Sequence, residues 1–461
     1  MPRYHVKITG KDYDAMADLV RKYKVMVARH TVERPKKGGY TVDAHATGSQ
    51  IRQLTAAGYT VTQREDVDQH GKARRAEFKK ATKARLAVAR AAARPTRAAE
   101  GYLSVDEVEA ALAAAAAPPN DTFTQLITLP HQTWEGRVCH ALKIGKGSNS
   151  TRPGIYFLAG VHAREWGSPD ILINFVQQLT QAYQNHTGVT VGSKAFTAAK
   201  IKKIVEEKDV YVFPQANPDG RHHSMATVPM WRKNRRPAPA GHSSASCVGV
   251  DINRNYDFMW NFPQFFDPAA PIANSTDPCD ANVYIGPSAA SEPETQNAVW
   301  MFDTFSQVRY VIDVHSYSEA ILYTWGDDDN QTINPDMNFR DPAFDGQRGI
   351  ANDAVYREYI PPSDRKLAVK LANSMRDAIK AVRGRVYTVQ QSVGLYPTAG
   401  TSDDYAFSRH LVDASKTKVL SYTIEWGSSN NLTPFHPPYS EMKKIIQEIT
   451  AALFDFCARV A

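Results

Sequence analysis

Two side chains able to bind a metal, His162 and Glu165, stand three residues apart in His162-Ala163-Arg164-Glu165-Trp166. Residues 155–161 before them form an apolar run of strand character, and residues 168–183 after them carry helical spacing. An imidazole and a carboxylate at such a strand-to-helix turn can point into one crevice. A third ligand would complete a zinc site whose fourth position stays open for water. His-x-x-Glu alone is a weak signal, because it recurs in ordinary solvated turns. The third candidate is His315, at the end of another apolar run over 309–314. A third run, 419–424, ends at Glu425, and a fourth, 210–213, leads into Asn217-Pro218-Asp219-Gly220. Open α/β sheets bind ligands at the carboxyl ends of their strands, so these four runs predict one site on one sheet edge.

Further segments follow in an order that resembles the zinc carboxypeptidases of the carboxypeptidase A/B family. Met230-Trp231-Arg232-Lys233 is similar to the family segment carrying an oxyanion-stabilising arginine, and Gly249-Val250-Asp251-Ile252-Asn253-Arg254-Asn255 to the one that grips the substrate's terminal carboxylate. His315-Ser316-Tyr317-Ser318 resembles the third-ligand segment. Leu395-Tyr396 with Gly400 resembles the mobile tyrosine loop, and Ile424-Glu425 the catalytic glutamate. The resemblance spans residues 155–430. It implies a mixed, largely doubly wound α/β sheet with helices on both faces, one zinc per chain, and hydrolysis of C-terminal peptide bonds. It also adds Arg164, Tyr317 and Tyr396 to the substrate-binding set.

The residue types suit that chemistry. Zinc on His162, Glu165 and His315 would lower the pKa of a bound water to about 7 and polarise a carbonyl. Glu425 can take the water's proton and pass it to the leaving amine. Arg232 would meet the charge growing on the carbonyl oxygen, a role worth roughly 3 kcal/mol of barrier per donor. Arg254 can fork onto a carboxylate, helped by Asn253. A site that demands a free terminal carboxylate makes an exopeptidase.

Specificity is expected at Asp403. In the family the position seven residues after the loop tyrosine is apolar in enzymes that remove aromatic or aliphatic ends and acidic in those that remove Lys or Arg. Here it is Asp403, in Thr401-Ser402-Asp403-Asp404-Tyr405. Basic ends are therefore expected to be preferred and apolar ones tolerated, provided that the adjacent Asp404 does not hold this place instead.

The 461 residues exceed one ordinary domain, and no apolar run approaches the ~20 residues of a membrane span. The net charge of +7 is local. Residues 71–97 hold ten Lys or Arg against Glu77, which is +9 and leaves −2 for the rest. That stretch reads as a basic solvated helix or linker rather than a nucleic-acid surface. Cys247 and Cys279 stand where secreted members of the family carry a disulfide, which favours an extracellular compartment. The start, Met1-Pro2-Arg3-Tyr4-His5, has no apolar secretory stretch, so a cytoplasmic location stays open. No pairing is read for Cys139 and Cys457.

Residues 1–66 read as two β-α-β units, with strands around 4–8, 25–28, 40–44 and 59–62 and helices over 11–23 and 49–57. This suggests a small ferredoxin-like α+β domain, in the place where family members carry a pro-domain. Residues 67–100 are expected to be a basic helical segment, ending near Pro95, that a trypsin-like protease cuts. The catalytic domain is expected over 101–461, with a single chain as the working unit and peptide or protein C-termini as its partners. Residues 327–364, longer than in typical members, are expected to form a rim loop over the site. Its acidic run, Asp327-Asp328-Asp329, reads as a solvated turn, with calcium binding or attraction of basic substrates as alternatives. Two other functions stay open: an amidohydrolase or murein-type peptidase on the same scaffold, and a catalytically inactive binding module. Retained Asn253, Arg254 and Tyr396 count against the first, and retained Glu425 and metal ligands against the second.

Overall fold

The computed structural model describes residues 3–12, 15–16, 18–19, 22–23, 25–33, 39–90, 100–147, 152–350, 353–428 and 434–460. Its first unit is a four-stranded antiparallel sheet of β1 (Arg3–Gly10), β2 (Met26–Glu33), β3 (Tyr40–Thr47) and β4 (Thr60–Asp66), in the order β2-β3-β1-β4. Residues 15–16 and 18–19 are helical, while 13, 14, 17, 20 and 21 lie outside the described residues. The second helix, Gly48–Ala56, starts at a capping box in which Thr47 and Gln50 satisfy each other's backbone N–H groups. Val6, Ile8, Leu19, Val42 and Leu54 close this unit's own core.

The larger unit is built on eight strands. In chain order these are β5 (Thr124–Thr128), β6 (His140–Ile144), β7 (Gly154–Ala159), β10 (Asp209–Phe213), β11 (Val308–Ser316), β12 (Ala320–Tyr323), β15 (Thr388–Gln391) and β16 (Leu420–Trp426). Two short ribbons supply the remaining numbers: β8 (Val189–Val191) with β9 (Lys194–Phe196), and β13 (Asn330–Gln331) with β14 (Glu358–Tyr359). The sheet order is β15-β12-β16-β11-β7-β10-β6-β5. Its four central neighbours β16, β11, β7 and β10 are all parallel. Every residue of β7 and β10 is buried. Parallel strands covered on both faces read as unbroken apolar runs, as these do.

Alternation along β7 sends Ile155, Phe157 and Ala159 into one core and Tyr156 and Leu158 into the other. Helices Gly167–Gln184, Ala198–Glu207, Pro362–Arg383 and Tyr439–Arg459 cover the first face. Met301 and Phe302 of helix Pro293–Thr304 cover the second. Fully burying a side chain of the Phe or Leu class contributes roughly 1.5–3 kcal/mol, so the two filled faces fix the edge where the strands end.

The basic segment is less solvated than its composition suggests. Helix Val67–Arg90 lies along the larger unit. Arg85 reaches both oxygens of Glu107 at 2.6 and 2.8 Å and the Tyr102 carbonyl at 2.9 Å, and Ala81 is buried. Phe78 and Ala81 dock the helix, and Arg85 finds its carboxylate on the larger unit. The expected end near Pro95 lies outside the described residues.

Candidate active site

Strand register assembles the site. β11 and β16 pair in parallel with His315 opposite Glu425, and β7 beside them ends three residues before His162. His162 Nδ1 lies 2.8 Å from Glu165 Oε1, and His315 Nδ1 lies 3.0 Å from His162 Nδ1 and 3.1 Å from Glu165 Oε2. The three ligand atoms fall within 4.8 Å of one another, and all three residues are buried. Two imidazole lone pairs and a carboxylate converging on one point match a divalent metal such as zinc. A second nominal set, His242 with Cys247 and Cys279, is not comparable, because the two sulfurs are bonded to each other. Cys139 and Cys457 are buried single thiols.

Each histidine has a carboxylate behind it. His162 Nε2 is 3.2 Å from Asp251 Oδ1, and His315 Nε2 is 2.9 Å from Asp313 Oδ2. Such partners fix the tautomer and aim the other ring nitrogen at the metal. Asp251 also receives Arg232 through Nε at 3.0 Å and an Nη at 2.8 Å. Asp313 accepts the Ser402 hydroxyl at 2.6 Å, and the Ser402 N–H goes to Asn253 Oδ1 at 2.8 Å. Neither aspartate was singled out as a site residue by sequence reasoning. Signals existed: Asp313 precedes His315 by two on one strand, and Asp251 lies inside the Asn253-Arg254 segment.

Glu425 lines the cavity beside His162 and Glu165. Burial pushes its carboxyl up to about 7, against the pull of His315 and with the repulsion of Glu165. Arg164, Arg232, Asn253, Arg254, Tyr317 and Tyr396 line the same cavity. The Arg164 guanidinium stands 4.1 Å from the centre of the Phe435 ring, whose edge meets Tyr317. Gly400 holds the tyrosine loop against the Arg254 backbone. At φ +68° a Cβ there would sit 2.5 Å from the Arg254 carbonyl oxygen, so only glycine fits. Asp403 is buried and is not among the residues that line the cavity. Its carboxylate accepts the Ser392 and Thr423 hydroxyls at 3.0 and 3.2 Å and the Asp404 N–H at 3.1 Å. Cys247 and Cys279 are joined by a disulfide that flanks the Asn253-Arg254 segment.

A family model described as zinc carboxypeptidase matches residues 110–452. The chain belongs to the zinc carboxypeptidase family. It is 28% identical over 281 residues to human carboxypeptidase B, covering 60% of this chain and 54% of that protein. It is 27% identical over 337 residues to zinc carboxypeptidase A 1 of Drosophila melanogaster, covering 71% and 63%. The chain thus spans between about half and two thirds of these relatives' length. The structure of thrombin activatable fibrinolysis inhibitor superposes with a TM-score of 0.70 at 19% identity, covering 100% of this chain and 99% of that one. Carboxypeptidase A from Helicoverpa armigera gives 0.71 at 19% identity, covering 100% and 98%. This likeness supports the carboxypeptidase fold, and the convergent His162, Glu165 and His315 fit the family's catalytic zinc.

Three sequence expectations change at this point. The Asn217–Gly220 segment does not line the carboxypeptidase cavity. Instead the Asn217 side-chain amide donates to the Val161 and Lys233 carbonyls, beside His162 and Arg232, and so ties those two loops together. The described residues of 327–364 do not line it either, and the run at 327–329 is not a solvated turn: Asp327 and Asp328 are 0% and 1% exposed. The insertion is anchored inward, where Trp325 stacks on Phe258 and Phe339 packs against both rings. What does border the cavity is the N-terminal sheet, through Val27 of β2 and His45 of β3. Burial, His5 and Arg164 hold His45 well below the usual imidazole range. Val67, at the start of the connecting helix, packs with Met230, Tyr317 and Phe435.

Proposed function

We propose that the protein removes single residues from the C-termini of peptides or proteins, with one zinc held by His162, Glu165 and His315. The observation that carries this reading is the meeting of three ligand atoms beside Glu425, each histidine backed by an aspartate. When bound, zinc supplies an acidified water and a polarised carbonyl. Glu425 takes the proton of the attacking water and returns it to the leaving amine. Arg232, steadied by Asp251, meets the charge on the carbonyl oxygen. Arg254 and Asn253 take the terminal carboxylate, Arg164 and Tyr317 flank the preceding residue, and Tyr396 closes over the bound end.

Asp403 gives the enzyme its preference for Lys and Arg ends, with apolar ends tolerated. Support comes from a buried carboxylate whose hydrogen-bond partners are two hydroxyls and one N–H, leaving its charge to a substrate cation. Residues 1–66 act as a restraining pro-domain and 67–100 as the segment cut to release it, a reading supported by Val27 and His45 at the cavity and by Val67 against Phe435. The disulfide favours an extracellular setting.

The test is mass spectrometry of matched peptides with free and amidated C-termini, before and after limited trypsin treatment, with and without a zinc chelator. Stepwise loss from free ends only, abolished by chelation and enhanced by trypsin, is expected. Equal cleavage of amidated ends would favour the amidohydrolase reading, and release of the N-terminal piece without gain of activity would remove the pro-domain role.

A further inference from the structure

Asn253 stands where two chains of polar contacts meet, each running to one of the zinc histidines. It lines the cavity from the short helical turn Ile252–Arg254 and is buried. Its backbone N–H donates to Asp251 Oδ1 at 3.1 Å, and the same oxygen lies 3.2 Å from His162 Nε2. Its side-chain Oδ1 accepts the Ser402 N–H at 2.8 Å. The Ser402 hydroxyl donates to Asp313 Oδ2 at 2.6 Å, and that oxygen lies 2.9 Å from His315 Nε2. Asp251, Ser402, Asp313 and both histidines are buried, so little water competes for these contacts.

Ser402 decides which face Asn253 turns to the cavity. A backbone N–H can only donate, so this bond draws Oδ1 of the amide toward Ser402 and leaves the donor Nδ2 for a ligand. A terminal carboxylate takes such a donor beside the Arg254 guanidinium. Ser402 can give its N–H outward because it is the first residue of helix Ser402–Val412, where backbone N–H groups have no acceptor within the helix. Its hydroxyl and the His315 imidazole meet one oxygen of Asp313, whose other oxygen, also buried, has no hydrogen-bond partner. The carboxylate behind His315 is therefore placed by Ser402.

We propose that Ser402 is a positioning residue that couples the grip on a substrate's terminal carboxylate to the hold on zinc. This rests on the carboxylate-binding role proposed above for Asn253 and Arg254. A carboxylate on Nδ2 polarises the amide and strengthens the bond from Ser402 to Oδ1, which steadies Asp313 and, through it, His315. The Asp251 branch acts through the Asn253 backbone and steadies His162. Losing an orienting carboxylate outright costs about 10- to 100-fold in metal affinity, so steadying both is expected to be worth about tenfold. By linkage, zinc tightens the carboxylate by the same factor.

Zinc affinity is measured by competition with a chromophoric chelator on the full chain, before and after limited trypsin treatment, which keeps the readout independent of turnover. The probes are δ-guanidinovalerate and hydrocinnamate, carboxylates without an amine, with their amides as controls. Saturating carboxylate should tighten zinc about tenfold in the wild type, and the amides less than about twofold. Ser402→Ala keeps the N–H that orients Asn253 and removes only the link to Asp313. It should cut the tightening to below about threefold, the remainder carried by Asp251, and Ser402→Thr should restore it. A serine with a merely structural role would lower zinc affinity with and without carboxylate and leave their ratio unchanged. That unchanged ratio in Ser402→Ala would overturn the proposal. So would a carboxylate that binds the wild type without tightening zinc, a comparison that holds even where Ser402→Ala fails to fold. Failure of both carboxylates to bind at all would remove the terminal-carboxylate reading itself, and the proposal with it.

Discussion

Replacing Asp403 with Asn removes one charge, keeps the side chain's shape, and isolates the proposed basis of specificity. The wild-type carboxylate is 5% exposed and has two hydroxyls and one N–H as partners. Opposite unit charges about 4 Å apart at an effective dielectric of about 20 attract by about 4 kcal/mol. The substrate cation must shed water to reach the site, and the hydroxyls already relieve part of the carboxylate's need. A net loss of about 2–3 kcal/mol remains, or about 30- to 150-fold in kcat/KM for peptides ending in Arg. Peptides ending in Phe should change little or improve, because an unpaired buried charge no longer faces an apolar side chain. The assay compares kcat/KM for matched peptides ending in Arg, Lys, Phe and Leu, with thermal unfolding to confirm that the variant folds. Equal losses for Arg and Phe ends would make Asp403 structural. No loss for Arg ends, or wild-type preference for Phe, would refute the assignment outright.

Glu425→Gln should retain stoichiometric zinc by metal analysis yet lose about 10²–10⁴-fold in turnover, since only the proton-transferring group is gone; unimpaired turnover would remove Glu425 from the mechanism. Asp313→Asn should weaken zinc binding about 10- to 100-fold in competition with a chelator, because His315 loses its orienting carboxylate. His436 is 0% exposed, stacks on Trp166, and is pushed down to about 4 by burial. The unfolded chain binds this proton near pH 6.5 and the native chain only near pH 4. Stability should therefore be complete above about 6.5 and fall as the pH drops toward 4, by up to about 3 kcal/mol from this group. Urea unfolding of wild type and His436→Phe across that range checks it: the difference between the two should narrow as pH falls.

The chemistry was legible where sequence and sheet geometry coincide. His162, His315 and Glu425 each follow or end an apolar run, and parallel strands in register place such ends side by side. The small N-terminal sheet was legible from alternation in β1 and β3 and from the turn residue Gly58 before β4. What resisted was long-range. No motif in β2 or β3 announces that Val27 and His45 border a cavity formed by residues more than a hundred positions away. Charge was misleading in both directions. Arg85 belongs to a stretch whose composition reads as solvated but binds Glu107, and the run at 327–329 reads as a solvated turn although two of its three carboxylates are buried. Acidic side chains are rarely buried without partners, so composition assigns them to the surface, and only the packing of Trp325, Phe258 and Phe339 reveals the inward path. Asp251 and Asp313 lay within recognised segments, but their role depends on which ring nitrogen they face, which spacing does not encode.

A reconstitution titration tests most directly whether zinc at His162, Glu165 and His315 acts on a free C-terminal peptide bond. Metal-free protein, treated with trypsin to release the N-terminal piece, is titrated with zinc while hydrolysis of an Arg-ended peptide is followed. Activity should rise in proportion to added zinc, level off at about one equivalent per chain, and be absent at that ratio in His315→Ala. Full activity before zinc is added, or an unchanged titration in His315→Ala, would contradict it.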